Sequence, residues 1–124
     1  MADITRPQAE RSDVFDVLQV TRGTLLEETV GADLVGVEPH QTSSVHRHNR
    51  AETVLYILEG EGMIRVGDDE VAVRAGDRLL VHRGQFHGVT TVAKPLRFLS
   101  VQSPPILHKA SGALDFEPEH RAGA

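Results

Sequence analysis

The stretch SSVHRHNRAETVLYILEGEG, residues 43–62, places two of the chain's seven histidines one residue apart, just ahead of an apolar run. Side chains spaced by two on an extended chain point to the same face. His46 and His48 are therefore expected to aim two imidazoles at one point. An imidazole pair can bind a metal ion, but a half-buried histidine also serves as an ordinary hydrogen-bonding residue of a core. The pair by itself leaves both interpretations open.

The composition narrows the class of protein. A length of 124 residues predicts one domain, and 40% hydrophobic with 25% charged residues is ordinary for a globular chain. The absence of cysteine excludes disulfides and thiolate metal sites. A net charge of −5 argues against a nucleic-acid partner. The polar opening MADITRPQAERSD lacks a signal sequence, and no apolar run is long enough to cross a bilayer. We therefore expect a cytoplasmic protein with no membrane partner.

Short extended segments, separated by Gly, Asp, Asn and Pro, predict an all-β sandwich or barrel. The predicted domain spans residues 13–102, after a flexible polar segment over 1–12 and before a tail over 103–124. Leu114 and Phe116 are expected to pack part of this tail on the body or on a partner subunit. The predicted strands cover 14–20, 34–37, 43–46, 53–58, 62–66, 70–73, 78–81, 87–91 and 97–102.

A second stretch, GDRLLVHRGQFHGVT at residues 76–90, gives the histidine pair a context. Together the two stretches resemble the two motifs of the cupin superfamily, over residues 43–91. The resemblance implies a double-stranded β-helix, the jelly-roll cupin barrel, with a metal site inside it. The residues that carry the resemblance are His46, His48, Glu52 and Gly60 in the first motif, and Gly76, Gly84 and His87 in the second, where His82 replaces the usual proline.

Carried over to this chain, the resemblance makes His46, His48 and His87 ligands of a divalent transition metal. Fe, Mn, Ni, Zn and Cu all suit such a site, and the sequence does not identify which is bound. In the family the fourth ligand is a glutamate followed by six residues and a glycine. Here seven residues separate Glu52 from Gly60, so Thr53 occupies the usual position.

The fourth ligand therefore stays open at this point. A shift of one residue moves a strand side chain to the opposite face. Either a bulge turns Glu52 inward as a fourth ligand, or Thr53 faces the metal and three histidines hold it. The alternation of apolar residues along 52–59 does not decide between the two faces.

Two function classes fit this constellation. The first is a metal-dependent enzyme acting on a small oxygenated or acidic molecule, either dioxygenase-like or a Lewis-acid isomerase, cyclase or lyase. His82 is its candidate acid–base residue, because the imidazole titrates near neutrality; a solvated loop histidine is the plainer interpretation. The second class is a non-catalytic module that binds a small molecule. Cupins that resemble this chain are often homodimers, so a homodimer is expected in either case.

Overall fold

The architecture is built around one long strand that belongs to two sheets. The computed structural model describes residues 2–107 and 112–119, and β5, Glu52–Val66, is the longest strand in this range. Its first half pairs with β9 (Leu96–Ser103) and β7 (Arg78–Val81). Its second half pairs with β6 (Asp69–Arg74) and β8 (His87–Thr90). A strand shared in this way folds two antiparallel layers around a common interior.

The remaining strands extend the two layers. The first layer continues from β9 to β3 (Gly31–Val37), β2 (Phe15–Gln19) and β1 (Glu10–Ser12). The second continues from β8 to β4 (His46–Arg47) and β10 (Glu117–Pro118). The result is an all-β double-stranded β-helix, which confirms the predicted fold class. Among the residues that the structure describes, no helix is long and apolar enough to span a membrane.

The change of layer occurs at a bulge in β5. The register with β9 shifts between Ile57 and Glu59, and the inward-facing positions change parity, from Leu55 and Ile57 before the bulge to Ile64 after it. An extra residue in one strand bends it and increases its twist. The sequence predicted two strands here, over 53–58 and 62–66, because the glycines between them are typical of a turn.

Gly60 makes the bend possible. Its φ of 81° lies in the left-handed region, and a Cβ at this position would collide with the carbonyl oxygen of Pro95. Glycine is the residue that tolerates both constraints. The N–H of Glu61 donates a hydrogen bond to the same Pro95 carbonyl, at 3.3 Å. The backbone of β5 is therefore held against the 93–96 connection at the corner of the barrel.

The core lies between the layers and is apolar toward one end of the first layer. Val35, Phe98 and Ile57 occupy one cross-strand row, and all three are buried. Toward the other end the inward row becomes polar, with Ser100 and Gln102 also buried. Buried polar side chains need partners, so this change in character marks the part of the interior where ligand chemistry is expected.

Segments near both ends of the described chain join the two layers. Residues 10–12 fall in the segment that was expected to be flexible, yet they form β1 on the edge of the first layer. In the tail, β10 pairs with β4, and Leu107 bridges Leu114. Residues 108–111 and 120–124 of the predicted tail lie outside the described residues.

Candidate metal centre

The second layer brings three histidines to one point. His46 in β4 is the direct antiparallel partner of His87, the first residue of β8. His48 follows β4 and points to the same side, as the spacing of two predicts. The ring centroids lie 4.5 Å apart for His46 and His87, and about 5 Å apart for the other two pairs. One ligand nitrogen from each ring lies within 4.8 Å of the others.

Backbone carbonyls fix two of the rings. Nδ1–H of His48 donates a hydrogen bond to the carbonyl oxygen of Asp115 at 2.6 Å. Nδ1–H of His87 donates one to the carbonyl oxygen of Gln85 at 3.0 Å. A hydrogen bond on Nδ1 sets the tautomer and leaves Nε2 as a free lone pair for a metal. His46 has its Nδ1 buried without a hydrogen-bond partner.

All three imidazoles are electrically neutral near pH 7. Burial, reinforced by the neighbouring rings of His87 and His48, lowers the pKa of His46 to about 3. Burial lowers the pKa of His87 to about 4 and also lowers the pKa of His48. Neutral imidazole is the form that binds metal. Three converging neutral donors, one of them with an unsatisfied buried nitrogen, are compatible with a divalent transition-metal ion.

Residues 112–119, called the C-terminal segment below, form part of the surroundings of this centre. The carboxylate of Asp115 accepts hydrogen bonds from the backbone N–H groups of Asn49, Arg50 and Ala51, at 2.6–2.9 Å. These three bonds fix the connection between His48 and β5. The next residue, Phe116, stacks on His46 with ring centroids 4.5 Å apart and an interplanar angle of 25°. The segment thus orients one histidine and covers another.

Glu52 and His82 lie against each other rather than at the three histidines. Nδ1 of His82 is 3.0 Å from Oε2 of Glu52, and Arg83 lies 3.7 Å from Oε1. Both side chains are more than half exposed. The hydrogen bond from His82 lowers the pKa of Glu52. Within 2–107 and 112–119, the only group of acidic, histidine or cysteine side chains that converges as metal ligands is the histidine triad. The structure thus places neither the candidate fourth ligand nor the candidate acid–base residue at the centre.

Thr53 is the residue that faces inward from this part of β5. It is 5% exposed, and its side chain lines the same cavity as the three histidines. A bulge does exist in β5, but it lies at Ile57–Glu59, after Glu52 and Thr53 and just before Gly60. The alternation from Thr53 through Leu55 to Ile57 is therefore undisturbed, and Glu52 points outward.

The cavity that opens beside the histidines has a volume of about 400 Å³. This volume falls within the range of about 300–1,000 Å³ that is usual for small-molecule sites. Its apolar wall is contributed by Phe15, Val17, Leu55, Ile64 and Phe98.

Sequence reasoning missed the polar wall, which is formed by Asp33, Ser100 and Gln102. The signal that marks two of them is the alternation in β9. Inward Leu96 and Phe98 imply that Ser100 and Gln102 also face inward.

The fold and the histidine centre together define a cupin. Residues 33–102 match the family described as Cupin domain, and the chain belongs to this family. A curated relative is the tetracenomycin polyketide synthase protein TcmJ of Streptomyces glaucescens, which is 30% identical over 104 residues, covering 79% of this chain and 70% of that protein.

Solved structures resemble the chain as well. The protein TT1209 from Thermus thermophilus has a TM-score of 0.65 at 32% identity, with 73% of this chain and 84% of that chain covered. Pac13, a Streptomyces nucleoside dehydratase, has a TM-score of 0.73 at 12% identity, with 92% and 85% covered. At that identity, the likeness to Pac13 shows the fold alone.

Proposed function

We propose that this protein is a metal-dependent cupin enzyme that acts on a small oxygenated molecule. The observation that carries the proposal is the convergence of three neutral imidazoles, from His46, His48 and His87, on the wall of a cavity of about 400 Å³. A site built only to stabilise the fold needs no such cavity beside its ligands, whereas a catalytic site keeps room for substrate. Similarity to a polyketide synthase protein supports an oxygen-rich carbon skeleton as substrate.

Different residues of the chain would hold the metal ion, orient its ligands and cover the site. The three histidines would hold the ion, and the carbonyl oxygens of Asp115 and Gln85 keep two of the rings in the ligand tautomer. Phe116 covers His46 and limits the access of water from that side. A bound divalent transition metal supplies a Lewis acid for substrate oxygen or, with iron or copper, a redox centre.

The metal identity separates the two reaction classes within this proposal. Iron or copper directs the assignment to dioxygenase-like chemistry, while zinc, nickel or manganese favours Lewis-acid isomerase, cyclase or lyase chemistry. Three imidazoles bind all of these ions, so the donor set fits both classes.

The test is elemental analysis of the purified chain after incubation with Fe, Mn, Ni, Zn and Cu in turn. We expect close to one metal per chain, and its loss in the double variant His46→Ala/His87→Ala, with circular dichroism used to confirm that the variant is folded. His82→Gln is the matched control, because it removes an exposed histidine outside the cavity. A parent protein that binds none of the five metals would contradict the enzyme proposal and favour a metal-free binding module.

We further propose that the protein forms a homodimer through the outer face of the first layer. Tyr56 and Leu58 of β5 and Leu80 of β7 point outward and are each at least 40% exposed. Apolar side chains that share one exposed sheet face are a common basis for association. Light scattering after size-exclusion chromatography should give twice the chain mass. The variant Leu80→Glu should give the mass of one chain, and a monomeric parent would contradict the proposal.

A further inference from the structure

The cavity has a second polar region, which lies on the other layer from His46 and His87. His46 and His87 belong to the layer that contains β4 and β8, whereas Thr53, Asp33 and Gln102 belong to the layer that contains β3, β5 and β9. All five side chains line the same cavity. A molecule in this cavity therefore meets polar groups from both layers, together with the apolar side chains that line it.

Thr53 is the unusual member of this second region. Its side chain is 5% exposed, and its hydroxyl oxygen is buried without a hydrogen-bond partner. Leaving a buried hydroxyl unsatisfied costs about 1–3 kcal/mol, so native proteins rarely retain one without a use for it. Gln102 is the direct cross-strand partner of Thr53, but its side-chain amide donates hydrogen bonds to Asp33 and Ser100 instead. The Thr53 hydroxyl is thus available to a ligand.

Hydrogen bonds through Gln102 and Ser100 hold the carboxylate of Asp33 in place. The side-chain amide of Gln102 donates hydrogen bonds to Oδ2 of Asp33 at 3.0 Å and to Oγ of Ser100 at 2.6 Å. Gln102 is 2% exposed, and the lack of a Cβ at Gly31 leaves room for its amide, because a Cβ there would collide with Oε1. These contacts occupy both amide hydrogens but only part of the acceptor capacity of the Asp33 carboxylate.

The charges around the cavity indicate what kind of group this region accepts. The acidic side chains that line it are Glu10, Asp13 and Asp33, and the basic one is Arg11, which pairs with Asp16. Arg65, an arginine of the central strands, is held by Glu119 in a bidentate pair at 2.9 and 3.0 Å. An anionic group beside Asp33 would face a like charge, whereas a hydroxyl group would find acceptors and a donor.

We propose that the Thr53 hydroxyl is a second recognition point, which binds a hydroxyl group of an uncharged, apolar-bodied substrate whose other oxygen faces the histidines, and that the Asp33 carboxylate, two strands away in the same cavity, disfavours an anionic group there. This inference deepens the proposed function and rests on it for the role of the histidine wall. It assigns a substrate class: aromatic or alicyclic hydroxy compounds with oxygens at both ends, rather than carboxylic acids. Burial raises the pKa of Asp33, which agrees with a site that does not favour negative charge.

The test compares three probes that share one apolar body. Naphthalene-2,6-diol has a hydroxyl at each end, 2-naphthol lacks one of them, and 6-hydroxy-2-naphthoate carries a carboxylate instead. Dissociation constants are measured by titration calorimetry on the full chain, with and without bound zinc. We expect the diol to bind roughly three- to tenfold more tightly than 2-naphthol, which is the usual effect of one hydrogen bond, and the carboxylate to bind more weakly than the diol. Equal affinity for the diol and 2-naphthol would overturn the proposal.

Variants of Thr53 test whether its hydroxyl causes the difference in affinity between the diol and 2-naphthol. Thr53→Val removes the hydroxyl at nearly constant shape and should bring the diol and 2-naphthol to similar affinities, while Thr53→Ser should keep the difference. Thr42→Val, an exposed threonine outside the cavity, is the matched control. A preference for the diol that survives Thr53→Val would show that Thr53 does not read the hydroxyl.

A second variant test removes the charge of Asp33. Asp33→Asn should improve the binding of the carboxylate probe relative to the diol, by roughly threefold or more, because a like charge is removed. Glu59→Gln, which removes an exposed carboxylate, is its control. An unchanged ratio in Asp33→Asn would contradict the assignment of substrate class.

The two proposals fail separately. Metal content tests the histidine centre, and the probe ratios test the second recognition point. A chain that binds no metal but distinguishes the diol through Thr53 refutes the enzyme proposal and keeps the recognition point. A chain that binds metal but does not distinguish the probes refutes the recognition point alone.

Discussion

Nδ1–H of His48 donates a hydrogen bond to the carbonyl oxygen of Asp115, 2.6 Å away in space and 67 positions away in sequence. The bond ties a candidate metal ligand to the C-terminal segment, beyond the part of the chain that matches the family. The same residue fixes the 49–51 connection through its carboxylate. The segment therefore contributes to the geometry of the site as well as covering it.

Replacing Asp115 with alanine should weaken both the fold and the metal centre. The change removes three charge-assisted hydrogen bonds from the backbone of the 49–51 connection, and we expect a loss of about 1–2 kcal/mol in the free energy of unfolding. Because the carbonyl that orients His48 is no longer held in place, metal affinity should fall about tenfold or more. Urea unfolding and competitive metal titration measure the two effects.

Glu59→Ala is the control for this prediction. Glu59 pairs with Arg97 at 3.5 Å on the exposed surface, where an ion pair contributes little, and the stability change should stay within about 0.5 kcal/mol. Parental metal affinity in Asp115→Ala would show that the segment does not position His48.

The sequence predicted the architecture because its signals are local. Alternation and turn residues located most strands within a few positions, and the two motifs placed them in a jelly roll. The structure around β5 was harder to predict from the sequence. Gly60 and Gly62 are typical of a turn, yet here Gly60 permits a bend within one continuous strand, because its backbone meets the carbonyl of Pro95. A contact between residues that are 35 positions apart leaves no mark in the local pattern.

The site was predictable to the extent that its motifs were. His46, His48 and His87 were named from the resemblance, and the pairing of β4 with β8 brings them together. The choice between Glu52 and Thr53 was not predictable, because both faces of the strand are equally apolar in sequence. It depends on where the bulge lies, and that depends on packing at the Pro95 corner. The hydrogen bond from His48 to the Asp115 carbonyl could not be predicted, because every residue has a backbone carbonyl and the residue type does not mark which one accepts the bond.

Replacing Glu52 with glutamine should leave the metal centre unchanged. Glu52 points outward and hydrogen-bonds His82 at 3.0 Å, so it supplies no donor to the three histidines. We expect the metal content to stay at the parental value and the metal affinity to change less than about threefold, since only an exposed charge is lost. Competitive titration with a chromogenic chelator measures the affinity. A drop of tenfold or more would mean that Glu52 is a ligand in the metal-bound protein.

Alanine at Gly60 should be far more damaging than alanine at Gly67. Both glycines have φ in the left-handed region, 81° and 62°, so both substitutions carry the cost of that conformation, about 1 kcal/mol. A Cβ at Gly60 also collides with the Pro95 carbonyl, whereas a Cβ at Gly67 meets nothing within 4 Å. We expect Gly60→Ala to lose at least about 2 kcal/mol more than Gly67→Ala, or to fail to fold. Equal losses in urea unfolding would contradict the close approach at the corner.

Acid should destabilise the metal-free protein through its neutral histidines. His46 and His87 have pKa values of about 3 and about 4 in the folded chain, against 6.5 as the ordinary value. Below that ordinary value the unfolded chain takes up protons that the folded chain does not, so stability is lost as the pH falls. In the presence of a chelator, unfolding by urea at about pH 7.5 and about pH 5.5 should differ by about 2–3 kcal/mol from these two groups. The variant His46→Gln/His87→Gln keeps the carboxylates and should lose most of this dependence; an equal fall in both proteins would show that the histidines are not buried neutral.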